Sequence, residues 1–213
     1  MVFMPYHPFD TCFEDLPEII PIFPLSGALL LPRGELPLNI FEPRYLAMVS
    51  DSLKGNRLIG IIQPDYKTGC VGRIIKFEET IDGRYMISLR GLCRFQLGLY
   101  TIQSSLTYRK AQVNWTGFNQ DMIQLETLDI DKVKLKSLLK TYFETQGLSM
   151  DWDLIDDVAD EGLLTALAMI CPLQPTDKQA LLEAKCFQTR ANLFIKLLEM
   201  SLQSSNSFSS TPH

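Results

Sequence analysis

The chain has two histidines, His7 and His213, and both lie in its terminal segments. A Ser-His-Asp triad, an HExxH zinc site or a multi-histidine metal centre therefore has almost no material to draw on. None of the twelve glycines is followed by lysine, so the phosphate-cradling P-loop is absent, and no GxGxxG occurs. Cys12, Cys70, Cys93, Cys171 and Cys186 are irregularly spaced and contain no CxxC pair. That pattern signals neither a zinc ribbon nor a thioredoxin-type site, and reads as reduced thiols packed inside a cytoplasmic protein. No cofactor and no metal is expected from these residue types.

Several weaker patterns each have a plainer explanation. Ser137-Leu-Leu-Lys140 matches the SxxK pair of penicillin-recognising enzymes, but SDN and KTG are missing. It also falls inside an amphipathic stretch, which makes it a solvated helix face. Asp151, Asp153, Asp156, Asp157, Asp160 and Glu161 cluster, yet an EF-hand loop needs an oxygen ligand and then Gly where Ile155 and Asp156 stand. The acids read as caps and solvation of short helices. Gly69-Cys-Val-Gly72 looks like a KH-type GxxG loop, but it introduces a strand and is expected to be a turn. Arg84, Arg90 and Arg94 alternate along one face of a strand and are the best argument for an anionic partner. Set against it, polar residues line the solvent face of any half-buried strand. Phe23, Phe41 and Tyr45 could form an aromatic binding surface, although such spacing usually marks core.

Two kinds of element must position these residues. Up to Gly117 the pattern is alternation. Leu36, Leu38 and Ile40 share a face, residues 57–63 form a short apolar strand, and residues 106–115 form another. Residues 70–81 and 84–97 flank Asp82-Gly83, the dipeptide that suits a type I′ hairpin turn. Gly91 falls in the apolar series of the second arm, where it permits a bend or bulge. One helix interrupts this half. Pro43 suits its first position, Glu42 its positive end and Gly55 its stop, with Tyr45, Leu46, Val49 and Leu53 as the buried stripe. Six or more such strands suggest a strongly bent sheet or a closed barrel.

After Gly117 the period becomes helical. Leu135, Leu138, Leu139, Tyr142 and Phe143 make one stripe, with Gly147 as its stop. Trp152, Ile155 and Ala159 suggest a second helix. Leu163, Leu164, Leu167 and Ile170 suggest a third, ending before Pro172. Thr176-Asp-Lys-Gln179 reads as a capping box, and Ala191, Phe194, Ile195, Leu198 and Leu202 belong to the last helix. The expected organisation is a terminal tail (1–16), a β subdomain (17–117), a helical subdomain (118–203) and a disordered Ser-rich tail (204–213).

Of 213 residues, 46% are hydrophobic and 21% charged, enough to bury a substantial core. The net charge of −5 disfavours a polyanion binder. The N-terminus lacks the basic region of a secretory signal, and the apolar run at 19–32 is short and interrupted by prolines, so no membrane association is expected.

Ile20-Pro-Ile-Phe-Pro-Leu25, Leu30-Leu-Pro-Arg-Gly34 and Leu36-Pro-Leu-Asn-Ile-Phe-Glu-Pro-Arg-Tyr45 together resemble the opening of the Lon protease N-terminal, substrate-binding domain. The likeness continues through Gly69-Cys-Val-Gly-Arg-Ile74, Asp82-Gly-Arg-Tyr85, Leu89-Arg-Gly-Leu-Cys-Arg-Phe95 and Lys178-Gln-Ala-Leu-Leu-Glu183. The resemblance implies an α+β fold: a PUA-like pseudo-barrel with one inserted helix, followed by a helical bundle. It also implies a free-standing, non-catalytic member that recognises polypeptide segments or partner proteins in protein quality control, without the ATPase and Ser-Lys protease motifs. Asn39 stands where many members carry His, which argues against an essential histidine there. Glu42, Pro43, Arg44, Gly72, Asp82, Gly83 and Gly91 are expected to be architectural, with Glu42 and Arg44 linking the helix to the barrel. An RNA-binding PUA-like module and an enzyme without a recognisable motif are the alternative readings. No motif fixes the partner's identity or the oligomeric state.

Overall fold

The computed structural model describes residues 11–101, 107–123, 130–148 and 160–208. Six strands are present: β1 (Ile19–Pro24), β2 (Glu35–Ile40), β3 (Leu58–Ile62), β4 (Thr68–Glu79), β5 (Tyr85–Thr101) and β6 (Lys110–Asn114). They form one sheet in the order β2-β5-β4-β3-β1-β6, and β5 pairs β6 as well. That extra pairing closes β5, β4, β3, β1 and β6 into a barrel and leaves β2 as an outer strand on β5. All pairs are antiparallel except β1 with β3. A parallel pair needs a long crossover, and here the crossover carries β2 and the helix α1 (Pro43–Lys54).

Alternation along the strands builds two cores. Ile20, Ile22, Leu58, Ile62, Val71, Cys93, Phe95, Ala111 and Val113 belong to one buried cluster, on the side the five strands enclose. Phe23, Ile59, Ile61, Cys70, Ile74, Ile87 and Leu89 belong to the other, which they share with the helices. Those helices are α1, α2 (Lys132–Thr145), α3 (Asp160–Ile170), α4 (Pro175–Glu183) and α5 (Phe187–Phe208). Leu135, Leu139, Tyr142 and Phe143 of α2 and Phe194 and Leu198 of α5 are all buried in that second cluster. The mixed α+β architecture expected from the change of period is what the molecule has.

Helix ends follow local chemistry. Pro43 and Pro175 occupy first-turn positions of α1 and α4. Asp131 caps α2 by accepting from the Lys134 amide at 2.9 Å. Its other end closes on Gly147, at φ 65°, with Leu148 N–H on the Phe143 carbonyl and Gly147 N–H on that of Glu144. This paired pattern is a Schellman motif.

Several local expectations are corrected. The hairpin turn is not type I′, because only Gly83 (φ 78°) and not Asp82 has positive φ. Gly83 N–H bonds the Thr80 carbonyl and Thr80 N–H bonds the Arg84 carbonyl, so Ile81-Asp82-Gly83 is a three-residue loop. Gly69 and Gly72 lie inside β4 and not in a turn; a Cβ on Gly72 would stand 2.8 Å from Leu30 Cδ2. Thr176 is not a cap, because Pro175 starts α4 a residue earlier with Gln174 as its cap. Gln179 is buried instead and donates to the Thr68 carbonyl of β4 at 3.1 Å. In α1, Met48 and Ser52 are buried where Leu46 and Leu53 are only partly so. Ile170, assigned to the buried stripe of α3, is 60% exposed, and Cys171 takes the inward position. The helix expected around Trp152, Ile155 and Ala159 lies outside the described residues. The backbone of α5 is helical through Phe208, into the segment read as a Ser-rich tail.

Candidate functional site

The three strands β2, β5 and β4 form an arm that carries the β4–β5 hairpin loop. Its register sets matched rows: Leu36–Leu89–Ile74, then Leu38–Ile87–Phe77, then Ile40–Tyr85–Glu79. Side chains directly opposite in a sheet share a face, so these rows form one apolar surface with Glu79 at its margin. Its inner members, Leu89, Ile87 and Ile74, are buried. Leu36, Leu38 and Tyr85 are partly buried, Ile40 at the end of β2 is buried, and the cover thins on the β4 side, where Phe77 is 43% exposed. Phe77 meets Tyr85 edge-on at 5.0 Å between ring centroids. Ile81 at the loop tip is fully exposed, and Phe41, directly after β2, is 63% exposed.

The expected aromatic set is therefore split. Phe23 and Tyr45 are buried against each other, with ring centroids 4.2 Å apart, while Phe41 stands in solvent. Phe41 follows β2 directly, and alternation puts it with Pro37 and Asn39 on the face opposite Leu36, Leu38 and Ile40; its exposure agrees with that. Arg44 does not link α1 to the barrel: it pairs with Glu42 at 2.7 Å and stacks over Tyr45 at 4.5 Å. Both charged residues are at the helix entrance and satisfy each other locally. Pro43 opens α1 as its spacing implied.

The arginine face is also corrected. Arg84 stands opposite Thr80 where the hairpin loop closes and pairs with Asp82 at 2.8 Å, and Arg90 pairs with Glu35 at 3.4 Å. Arg94 is on the inside of the molecule, 2% exposed. The cause is a bulge: Val71 pairs Cys93 and Gly72 pairs Gly91, which leaves Leu92 as an extra residue and breaks the alternation. Gly91 permits the close approach this demands, since a Cβ there would sit 2.1 Å from the Leu31 carbonyl oxygen.

Arg94 joins the barrel to the helices. Its Nε and Nη2 donate to the Asp121 carboxylate at 2.8 and 2.7 Å. Nη1 donates to the carbonyls of Leu182, in the last turn of α4, and of Ala184, which caps that helix. The Asp121 carboxylate also accepts from the Arg94 amide at 3.0 Å. Burial alone would depress the guanidinium pKa, but its hydrogen bonds to Asp121 outweigh that and hold it above its ordinary value. Nothing in the sequence marked Asp121 as a partner, because it is 27 residues away in a segment without periodicity. The loop before β2 is pinned in a comparable way. Arg33 bonds Glu161 of α3 and the Ile123 carbonyl, and its amide donates to the Gly91 carbonyl at 2.7 Å.

The thiols are not poised for chemistry on the inside. Burial pushes the Cys70 and Cys93 thiols well up, and that of Cys171 to about 12. Cys186 is exposed, against the expectation of buried thiols, and its Sγ lies 3.1 Å from Thr189 Oγ1. Ser137 lies on the exposed face of α2, so the SxxK match is a solvated helix surface. Among the described residues, no group of three or more His, Cys, Asp or Glu side chains is placed to hold a metal ion. Nor is any helix among them long and apolar enough to cross a membrane.

A closed small barrel braced by helices, with an apolar sheet face exposed at its outer end, defines an α+β domain. More specifically, the chain belongs to the family described as the ATP-dependent protease La (LON) substrate-binding domain, whose profile matches residues 19–200. It is 26% identical over 202 residues to Lon protease 2 of Myxococcus xanthus, covering 87% of this chain and 24% of that protein. Over 95 residues, 39% of this chain and 12% of the relative, it is 30% identical to Lon protease of Dictyoglomus thermophilum. The chain thus spans about a quarter or less of the curated relatives it matches. Among solved structures it resembles a Lon N-terminal domain protein from Xanthomonas campestris, with TM-score 0.57 and 23% identity over 84% of this chain and 97% of that one. The N-terminal domain of Mycobacterium avium complex Lon protease gives the same TM-score at 19% identity, over 85% and 98% of the two chains. These two likenesses establish the fold.

Proposed function

We propose that this protein is a non-catalytic recognition module that binds extended or unfolded polypeptide segments in cytoplasmic protein quality control. The observation that carries this reading is the apolar face of β2, β5 and β4, whose outer end is exposed at Phe77 and partly so at Leu38 and Tyr85, with Ile81 exposed at the adjoining loop tip. Burying such a face on a partner is favourable by about 25 cal/mol per Å² of apolar area. Exposed apolar surface rimmed by polar residues marks interaction sites. In this reading residues 17–117 supply the face and residues 118–203 brace it from behind. The family's substrate-binding role supports a binding module. The competing RNA reading rested on Arg84, Arg90 and Arg94, and each is matched by a carboxylate of the chain itself.

The test is direct. Purified protein is titrated into a fluorescently labelled, permanently unfolded polypeptide and into the same polypeptide folded. Saturable binding of the unfolded form alone, weakened several-fold by Phe77→Ala, is the expected result. Absence of saturable binding, or equal binding of labelled single-stranded RNA, overturns the proposal.

A further inference from the structure

The polypeptide reading says what kind of molecule the face takes but not which segments it prefers. The charges around the arm carry that step, and the inference rests on the polypeptide reading. We propose that the arm selects extended segments in which an apolar residue and a lysine or arginine stand two positions apart.

The spacing comes from the sheet. Phe77 and Glu79 are on the same face of β4, in adjacent rows, with Leu38–Ile87 and Ile40–Tyr85 beside them. Residues i and i+2 of a strand are about 7 Å apart and point the same way. An extended guest lying along β4 has the same repeat. It therefore sets one side chain against Phe77 and the side chain two residues away against Glu79.

The sign comes from how the local charges are spent. Three arginines of the arm and the α1 entrance are each neutralised within the chain: Arg44 by Glu42, Arg84 by Asp82 and Arg90 by Glu35. Lys76 and Glu78 pair with Ser88 and Met86, on the opposite face of the arm. Glu79 is exposed, and among the described residues no cation is paired with it. A guest with a cation at that place gains an ion pair at the edge of an apolar contact. A guest with a carboxylate there is repelled, and so is a phosphodiester chain.

Three unstructured peptides in a Gly-Ser background test this by fluorescence anisotropy on the full chain. They carry Phe-Ser-Lys, Phe-Ser-Glu, and a Phe and Lys separated by a longer Ser spacer. The Phe-Ser-Lys peptide is expected to bind about threefold more tightly than the other two at low salt, the scale of one exposed ion pair. The advantage over Phe-Ser-Glu should vanish near about 1 M salt, where screening shortens to about 3 Å. Glu79→Lys should reverse the preference, and Phe77→Ala should weaken all three alike. Equal affinities for all three, or a preference untouched by Glu79→Lys, overturn the charge rule and leave polypeptide binding standing. Failure of every peptide and of the unfolded polypeptide to bind overturns both.

Discussion

Arg94 shows how a single side chain decides the arrangement of larger parts. Its carboxylate partner Asp121 is as deeply buried as it is, with side-chain exposures of 3% and 6%. A buried pair of this kind adds little against an apolar substitute, but removing one member leaves an uncompensated charge that costs about 3–5 kcal/mol. Arg94→Met is therefore expected to lower the urea midpoint sharply, and Arg94→Met combined with Asp121→Leu to recover much of that loss. If the double variant is no more stable than Arg94→Met alone, Asp121 is not the residue left stranded. The buried thiols make a separate prediction. An ordinary cysteine ionises near 9.0, whereas Cys171 in the folded protein holds its proton to about 12. Below the lower value the thiol is neutral in both states and affects nothing. Between the two, the unfolded chain has lost a proton that the folded chain keeps, so stability falls by about 1.4 kcal/mol per pH unit for each such thiol. Cys171→Ala should flatten the slope of stability against pH above 9 without changing its shape below. At this scale the sequence was legible for Pro43 and Gly147, whose roles are local. It was not legible for Arg94, because its direction depends on a bulge set by the neighbouring strand.

The β4–β5 hairpin shows the same contrast among elements. Its two arms and its loop were readable from alternation around Asp82-Gly83, but not the loop's length. Thr80 rather than Ile81 closes the ladder, since its Oγ1 bonds Asp82, the Arg84 amide and the Arg84 carbonyl. That added polar closure favours three loop residues over two. The two glycines of this hairpin then play different parts. Gly83 has open space around its missing Cβ but a φ of 78°, so Gly83→Ala pays only for backbone conformation, about 1–2 kcal/mol. Gly91 has an ordinary φ but no room, because a Cβ would strike the Leu31 carbonyl at 2.1 Å. Gly91→Ala must push apart β5 and the segment at 29–34, and overpacking of this sort costs about 1–3 kcal/mol or more. Urea melts should rank Gly91→Ala below Gly83→Ala. Gly83→Asn should be milder than Gly83→Ala, because asparagine tolerates the left-handed region, whereas Gly91→Asn should be no better than Gly91→Ala. An equal cost for Ala and Asn at Gly83 would refute the conformational account.

Over the whole molecule, the change of period near Gly117 correctly announced strands followed by helices. What alternation and helical stripes could not announce is that the two parts share a core. One buried cluster contains Phe23, Ile61, Ile87 and Leu89 from the sheet together with Leu139, Leu167, Phe194 and Leu198 from three helices. Arg94, Gln179 and Arg33 cross the same junction with buried or half-buried hydrogen bonds. A partition of this kind leaves neither part with a complete apolar interior alone, so the barrel and the helices should unfold together. Trp115 reports on the barrel, since its ring lies 6.0 Å from Phe95 and its Nε1–H donates to the Pro17 carbonyl at 3.1 Å. Far-ultraviolet circular dichroism reports chiefly on the helices. In a Trp152→Phe chain, the two signals should trace one urea transition with a common midpoint, as two-state unfolding requires. Arg94→Met should move both midpoints by the same amount. A helical transition that precedes the Trp115 transition would show that the barrel keeps its fold without its brace, and that the open face of β2, β5 and β4 does not depend on the helices behind it.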